Sequence, residues 1–498
     1  MTRPDNPYVI IGGGVSGMTA ALILSKFGYP VTLVEKRQRL GATLRGFSRQ
    51  GTNFDTGLHY VGALQPDGAL TRYFRYLGMP DLPFADYNAG GFDRIRFIEA
   101  GREIRLPLGK DATIDYLSDI FPEDKGFVAA FYNEIEELYN SSTFLNFNGD
   151  VRDAVNAECR QESLAARLNR GTRNPILRAV LSIYSLLYGV SPQETPYIQH
   201  ARVAGSYFDG VKSIAGGGKV LAAAFEKLLD KAGVTCLRDS EAVSIAFDNA
   251  GRAAGLVLRE ERYIPARGLL FTAHPGLLPA MLPAGAVKPA FSHRLASLED
   301  TISSHTLFCS CQSVIPIVQG SNLYVCLGND IERAFLPGCS PADGPFYISR
   351  GISGKLGAPV YQEGLMFSAP GSYNQYARWH GSRTGQRPPA YEDFKAERLE
   401  AVRGVLLRHC PELKDTQALD GGTPLTNRDY LGSPGGGLYG TKHSLKQFSP
   451  LPATRVPNLW MAGQSVIAPG VLGAVISAFV ACGCILGMDR LQKELQCL

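Results

Sequence analysis

Apolar residues along this chain group into short unbroken runs near its two ends and into spaced, helix-like patterns between them. YVII (Tyr8–Ile11) is an unbroken, β-rich run closed by glycine, the pattern of a strand buried on both faces of a parallel sheet. The stretch SGMTAALILSKF predicts a helix over residues 16–27, stopped by Gly28, and PVTLVEK predicts the next strand. Together they make a βαβ unit of about thirty residues. From about residue 86 to 209 aromatic and charged positions mix, with helical spacing in FVAAFYNEIEELY and LRAVLSIYSLLYG. GGGKVLAAAFEKLLDKAGVTCL returns to glycines, an amphipathic helix and a strand. AVSIAFDNAGRAAGLVLREERYIPARGLLFTA predicts a β-meander, with turns at Asp248-Asn249 with Gly251 and at Glu260-Glu261. Residues 274–415 look irregular and strand-rich; VPNLWMAGQS predicts one more strand, followed by an apolar helix and a charged tail.

No repeat, low-complexity tract or long linker interrupts this order. The expected architecture is α/β, with residues 1–85, 210–285 and 416–498 forming one discontinuous Rossmann-like domain. Residues 86–209 and 286–415 would form an inserted α+β domain. Ala462 to Met488 carries no charge and is long enough to span a bilayer. Pro469, Gly470 and Gly473 near its start instead favour a strand, a turn and a buried helix beginning near Val471.

Charge changes the picture little. Fifty Lys and Arg against 46 Asp and Glu leave +4, far from a nucleic-acid footprint, so no nucleic-acid partner is expected. The ten cysteines are scattered, and the close pairs Cys309/Cys311 and Cys482/Cys484 lack a second pair at zinc spacing. They are expected to be small buried residues, with no metal site. Arg3 and Asp5 ahead of the first strand do not suit a secretory leader, and penultimate Cys497 does not fit a prenylation box. The expected setting is reducing and cytoplasmic.

Candidate chemistry starts at Gly12-x-Gly14-x-x-Gly17, between a strand and a helix. The first glycine permits the tight turn, the second lets a pyrophosphate approach the backbone, and the third lets helix and strand pack closely. The helix N-terminus, at Ser16, offers N–H groups and a positive dipole end to the phosphates. Glu35, at the end of the second strand, is spaced to accept from ribose hydroxyls.

Longer stretches carry a family resemblance. EKRQRLGATLRG resembles the extended fingerprint of two-dinucleotide-binding-domain flavoproteins, with Ala42 where a second glycine usually stands. VPNLWMAGQSVIAPGVLGAVISAFVACG resembles their C-terminal FAD motif, with Gln464 where an aspartate often follows the glycine. With FDTGLHYVG, GGGKVLAAAFEKLL and TPLTNRDYLGSPGGGLYG, these look like the phytoene-desaturase-related flavoproteins: carotenoid desaturases, carotenoid isomerases and retinol saturases. The first and last of these three stretches look closest to the retinol saturases.

The resemblance implies an amine oxidase/phytoene desaturase type of FAD-binding domain and an apolar tunnel that meets the flavin. The cofactor-binding residues it implies are Gly12, Gly14, Ser16, Gly17, Glu35, Lys36, Thr43, Leu44, Val243, Gly463, Gln464, Gly470, Val471 and Leu472. SPGGGLYG has no cysteine, so the FAD is expected to be non-covalent. Chemistry would be hydride exchange between flavin N5 and carbon, with an apolar isoprenoid or polyene as substrate, saturated, desaturated or isomerised. A proton donor would come from His59 or Tyr439, with His200 and His443 behind them. One fingerprint argues against a separate NADPH domain, leaving quinone, oxygen or a redox partner as the electron partner. PILRAVLSIYSLLYGV would be substrate-domain core, a tunnel wall, or a patch that rests peripherally on the inner face of a membrane through Arg173 and Arg178. Two other readings share the N-terminal motif: a flavin amine oxidase, and a non-catalytic escort of prenylated GTPases.

Overall fold

The computed structural model describes residues 6–146, 162–208, 210–311, 315–351 and 364–496; Arg3, Asp5 and Cys497 lie outside them. Strand β1 (Tyr8–Ile11), helix α1 (Val15–Lys26) and strand β2 (Val31–Val34) form the opening unit. β1 lies at the centre of a parallel five-stranded sheet in the order Leu459–Met461, Gly268–Phe271, β1, β2, Thr235–Leu237. The beginning, middle and end of the chain therefore share one sheet. Every residue of β1 and β2 is buried, which is why both are continuous apolar runs rather than alternating ones.

The close approach of α1 to this sheet depends on glycine. A Cβ on Gly17 would sit 1.9 Å from the Gly12 carbonyl oxygen, and Gly12 itself turns at φ +114°. On its other side α1 packs along the C-terminal helix Gly470–Leu486, and Ser16 Oγ donates to the Ala474 carbonyl at 2.6 Å. Residues Gly473 to Gly483 of that helix are buried, so its lack of charge reflects a core position. Among the described residues no helix is long and apolar enough to cross a membrane. The predicted meander is a three-stranded antiparallel sheet, Ala242–Phe247, Ala253–Leu258 and Tyr263–Pro265.

A second, seven-stranded sheet runs Thr416–Gly422, Ser303–Cys311, Leu365–Gly371, Phe346–Arg350, Asn322–Cys326, Asp93–Phe97, Arg102–Leu106. All its neighbours are antiparallel except Asn322–Cys326 beside Asp93–Phe97. Helices Lys125–Asn140 and Tyr197–Phe208 share an apolar cluster with one end of it, through Phe131, Ile135 and Ala201. Helix Pro389–His409 covers the other end through Leu399, Val402 and Leu406.

Two expectations need correction, and a third is narrowed. Thr416–Gly422, expected with the nucleotide-binding part, pairs with Ser303–Cys311 in the seven-stranded sheet. The supposedly irregular region 274–415 contains the 21-residue helix Pro389–His409. Only Tyr391, Leu399, Val402 and Leu406 of that helix are buried, too sparse a stripe to announce it. Residues 175–190 are an α-helix, Pro175–Ser182, that tightens into a 3₁₀ turn, Ile183–Leu187. Leu177, Val180, Leu181 and Ile183 are buried, and Arg178 is turned onto the Thr172 carbonyl and Asn169. This segment is core, with Leu186 and Leu187 reaching a cavity wall, in line with the first two of its three expected readings.

Candidate active site

The glycine loop after β1 is held from three sides. Gly12 N donates to the Val34 carbonyl at 2.8 Å, Gly41 N donates to the Gly13 carbonyl at 2.8 Å, and Thr272 Oγ1 lies 3.0 Å from the carbonyls of Ile11 and Gly12. Glu35, buried at the end of β2, accepts from Gly13 N at 2.8 Å through Oε2 and from Arg37 N at 2.9 Å through Oε1. Each oxygen keeps a second lone pair for a ribose hydroxyl.

Beyond the loop opens a cavity of about 1810 Å³. That is nearly twice the upper end of an ordinary small-molecule pocket, about 1,000 Å³. Two helix N-termini face it: α1 through Gly14, Val15 and Ser16, and the C-terminal helix through Gly470, Val471 and Leu472. Neither start is capped by a side chain, so the first N–H groups of both are left for a ligand. A Cβ built on Gly14 would meet only the Ala42 methyl, at 3.8 Å, so the space over this glycine is open. Gly463, at φ +127°, donates its N–H to Ser477 Oγ at 2.9 Å, which ties the last loop to the C-terminal helix. The donor set fits FAD: bare main chain and one helix start for a diphosphate, a carboxylate for ribose, and a second helix start for a ring that becomes anionic on reduction.

Thr43, Leu44, Gly463 and Gln464 also line this cavity, as do His59 and Tyr439. Gly12, Gly17 and Glu35 stand behind the wall and shape it. Lys36 is exposed, and Val243, 38% exposed on its strand, is likewise not part of the wall. Ala42 holds φ +45°, a left-handed conformation that costs alanine about 1 kcal/mol and glycine almost nothing, which accounts for the glycine usual there in similar sequences.

The four proton-donor candidates separate. His59 is in the wall, its Nδ1 3.3 Å from Ser349 Oγ and its ring tilted against Tyr347. Burial pulls its pKa down to about 4, so at neutral pH the ring is uncharged. Tyr439 lies in the wall with its backbone N–H on Thr301 Oγ1, and burial raises its hydroxyl above the ordinary phenol range. His443 Nε2 donates to the Gln464 carbonyl at 2.7 Å, linking the two loops beside the C-terminal helix. His200 is away from the cavity, buried against Tyr188 with its pKa lowered to about 3, and is a core residue.

Several residues of the site carry no sequence signal. His274 Nδ1 accepts from Gly276 N, so Nε2 bears the proton and donates to Asp300 Oδ1 at 2.7 Å. Asp300 Oδ2 accepts from Gly435 N at 2.7 Å, which anchors the glycine-rich loop that carries Tyr439. Asp55 caps the N-terminus of helix Gly218–Lys231 by accepting from Gly218 N at 2.9 Å. This gives a structural use to the Asp of FDTGLHYVG and to the glycines of GGGKV. Tyr60, Tyr207, Tyr324 and Tyr347 converge with Tyr439 on one end of the cavity from five separate parts of the chain.

Sheet order, open glycine loop and paired helix starts define an FAD-dependent oxidoreductase built on a dinucleotide-binding sheet, with a second, seven-stranded sheet that lines the same cavity. The chain belongs to the family of flavin containing amine oxidoreductases, whose profile matches residues 15–300. All-trans-retinol 13,14-reductase of Homo sapiens is 25% identical over 526 aligned positions, covering 96% of this chain and 85% of that one. Hydroxyneurosporene desaturase of Rubrivivax gelatinosus is 26% identical, with 95% and 92% covered. Among solved structures, an oxidoreductase from Methanosarcina mazei shares the fold at a TM-score of 0.67 and 14% identity, over 95% of this chain and 98% of that one. The expected relationship to phytoene desaturases and retinol saturases is borne out, and so are the FAD cofactor and the enzyme class.

Proposed function

We propose that this enzyme reduces or introduces C=C bonds in an apolar isoprenoid or polyene. The observation that carries the reading is the cavity itself: one continuous space runs from the two open helix starts to an apolar and tyrosine-lined end. Its walls include Leu58, Phe144, Leu186, Ile198, Phe308 and Met366, which suit a hydrocarbon. At its rim Leu445, Phe448 and Leu451 are 42, 37 and 50% exposed, an apolar lip past which such a ligand enters. Relatives named for action on retinol and hydroxyneurosporene support the same class.

When bound, the flavin supplies hydride transfer to or from carbon. The protein's share is to hold the double bond in a dry slot and to manage the matching proton. The 3₁₀ turn Ile183–Leu187 and helix Tyr197–Phe208 supply the rigid apolar side through Leu186, Leu187 and Ile198. The His274–Asp300 pair holds the opposite loop in place. Quinone, oxygen or a redox partner takes the other end of the electron balance.

The test is anaerobic. The loaded protein, reduced chemically, is mixed with all-trans-retinol and, separately, the oxidised protein with hydroxyneurosporene or putrescine. Flavin reoxidation or bleaching by a polyene is the expected result; bleaching by the amine alone would reassign the enzyme to amine oxidation, which the tyrosine wall would also suit. His59→Ala is expected to keep its flavin and to slow polyene turnover by less than about tenfold, because an uncharged imidazole is a far weaker acid than imidazolium. A loss of about 100-fold or more, the scale of a removed general acid, would restore His59 to that role.

A further inference from the structure

Behind the tyrosine-lined end of the cavity lies a carboxyl group that the reading above does not use. Asp93, in the strand Asp93–Phe97 of the seven-stranded sheet, is fully buried. Its Oδ1 accepts from Asn322 Nδ2 at 2.9 Å, and Asn322 is oriented for this by Tyr347, whose hydroxyl donates to Asn322 Oδ1 at 3.1 Å. Its Oδ2 is 3.4 Å from the Tyr60 hydroxyl, which is 2.9 Å from the Tyr324 hydroxyl. Tyr60, Tyr324 and Tyr347 all reach the cavity wall; Asp93 does not.

We propose that Asp93 is the proton store of a hydroxyl relay, Asp93 to Tyr60, that delivers a proton into the cavity, with Tyr324 bracing Tyr60 from behind. The proposal rests on the reading of the enzyme as one that reduces C=C bonds.

The geometry runs one way at a time. With Oδ1 taken by the Asn322 amide, the acid proton sits on Oδ2 and points to the Tyr60 oxygen. Tyr60, partly exposed in the cavity wall, then has its own proton free to give, with the fully buried Tyr324 hydroxyl bracing its oxygen from behind at 2.9 Å. With Asp93 ionised the chain reverses, because a carboxylate can only accept. Loss of one proton therefore turns the last hydroxyl from donor to acceptor.

The groups around the carboxyl keep it near the point of change. Burial pushes its pKa up to about 7, against the pull of hydrogen bonds from Asn322, Tyr184 and Tyr60. Tyr184 comes from the 3₁₀ turn Ile183–Leu187 and Tyr207 from helix Tyr197–Phe208. Tyr324 and Asn322 come from the adjacent strand, Tyr347 from Phe346–Arg350, and Tyr60 and Tyr87 from the N-terminal part of the chain. None is a cation, so nothing among these neighbours holds Asp93 ionised. The same surroundings raise the hydroxyls of Tyr60, Tyr324 and Tyr347 far above the phenol range, so they pass protons in concert rather than ionise.

In the reductive direction the balance is as follows. The Asp93 O–H bond breaks as the Tyr60 oxygen takes its proton, and the original Tyr60 O–H bond breaks toward the cavity. The Tyr60 proton forms a C–H bond with one alkene carbon, using the π electron pair. The neighbouring carbon takes hydride, for which reduced flavin is the co-reactant. Asp93 is left as carboxylate and regains its proton from water.

The test uses the full chain loaded with FAD, as wild type, Asp93→Asn and Tyr60→Phe. The first readout needs no substrate: infrared difference spectra across a pH titration. A carboxylic-acid C=O band that disappears as pH rises through about 7, present in wild type and Tyr60→Phe and absent in Asp93→Asn, is expected. The second is anaerobic reoxidation of the chemically reduced enzyme by all-trans-retinol. Wild-type rates should fall as pH rises through the same range, since the store empties. Asp93→Asn should be slower by about 100-fold with a flat pH profile, and Tyr60→Phe comparably slow with its flavin still bound. A carboxyl that is ionised throughout the neutral range, or an Asp93→Asn enzyme with the wild-type rate and pH profile, overturns the proposal. If the band titrates as expected but no polyene reoxidises the wild type, the substrate reading falls while the store stands.

Discussion

Gly14→Val is expected to give a folded protein that is purified without flavin. The glycine caps α1 in an extended conformation, φ −77° and ψ −178°, that valine adopts without strain. Its new Cβ would approach only the Ala42 methyl at 3.8 Å, so the empty loop tolerates the change. The added methyl groups would then occupy the space through which a diphosphate reaches the N–H groups of α1. The check is visible absorbance after gel filtration, together with far-ultraviolet circular dichroism. Wild-type dichroism without flavin bands is the expected pair. A variant that remains yellow would remove the glycine loop from the cofactor site. Gly17→Ala makes a useful contrast, because its Cβ would collide with the Gly12 carbonyl and should damage the fold as well as the site.

The second large effect is on stability. Phe479, 2% exposed on the C-terminal helix, packs with Tyr73 at a ring-centroid distance of 4.5 Å and with Tyr76 at 5.3 Å. Phe479→Ala should cost about 3–5 kcal/mol, from lost burial and from the cavity left between rings that cannot close over it. That is a large part of the roughly 5–15 kcal/mol that holds a typical domain together. Chemical denaturation of the flavin-loaded protein, read as the shift in midpoint at constant slope, measures it. A cost under about 1 kcal/mol would mean that the helix is not core to this domain and would reopen the question of what its apolar surface meets.

The corrections concerning residues 389–409 and 416–422 have a common origin. Neither segment announces its place locally, and both are set by a distant partner, a neighbouring strand in one case and an underlying cluster in the other. Thr416–Gly422 contains two glycines and an aspartate, poor strand formers, yet pairs along Ser303–Cys311 through a ladder whose energy is non-local. The helix Pro389–His409 rests on few buried side chains and is long because its exposed face is free to be charged.

What the amino-acid sequence determined alone is the backbone framework of turns and helix starts that fits a nucleotide. Tight turns, a close helix–sheet contact and a helix start next to a strand end are demands on a few consecutive residues. Gly12, Gly14, Gly17, Glu35, Gly463 and Gly470 therefore announce themselves at fixed spacings. The substrate end obeys no such local demand. Asp93 and Asn322 are 229 positions apart and meet because their strands pair in parallel register; Tyr60, Tyr324 and Tyr347 reach the same space from three different segments. A tyrosine in a cavity wall and a tyrosine in an ordinary core leave the same mark on hydrophobic periodicity. Only the tertiary structure decides which hydroxyls face one another, because the topology of the seven-stranded sheet, and not any short-range preference, sets their distances.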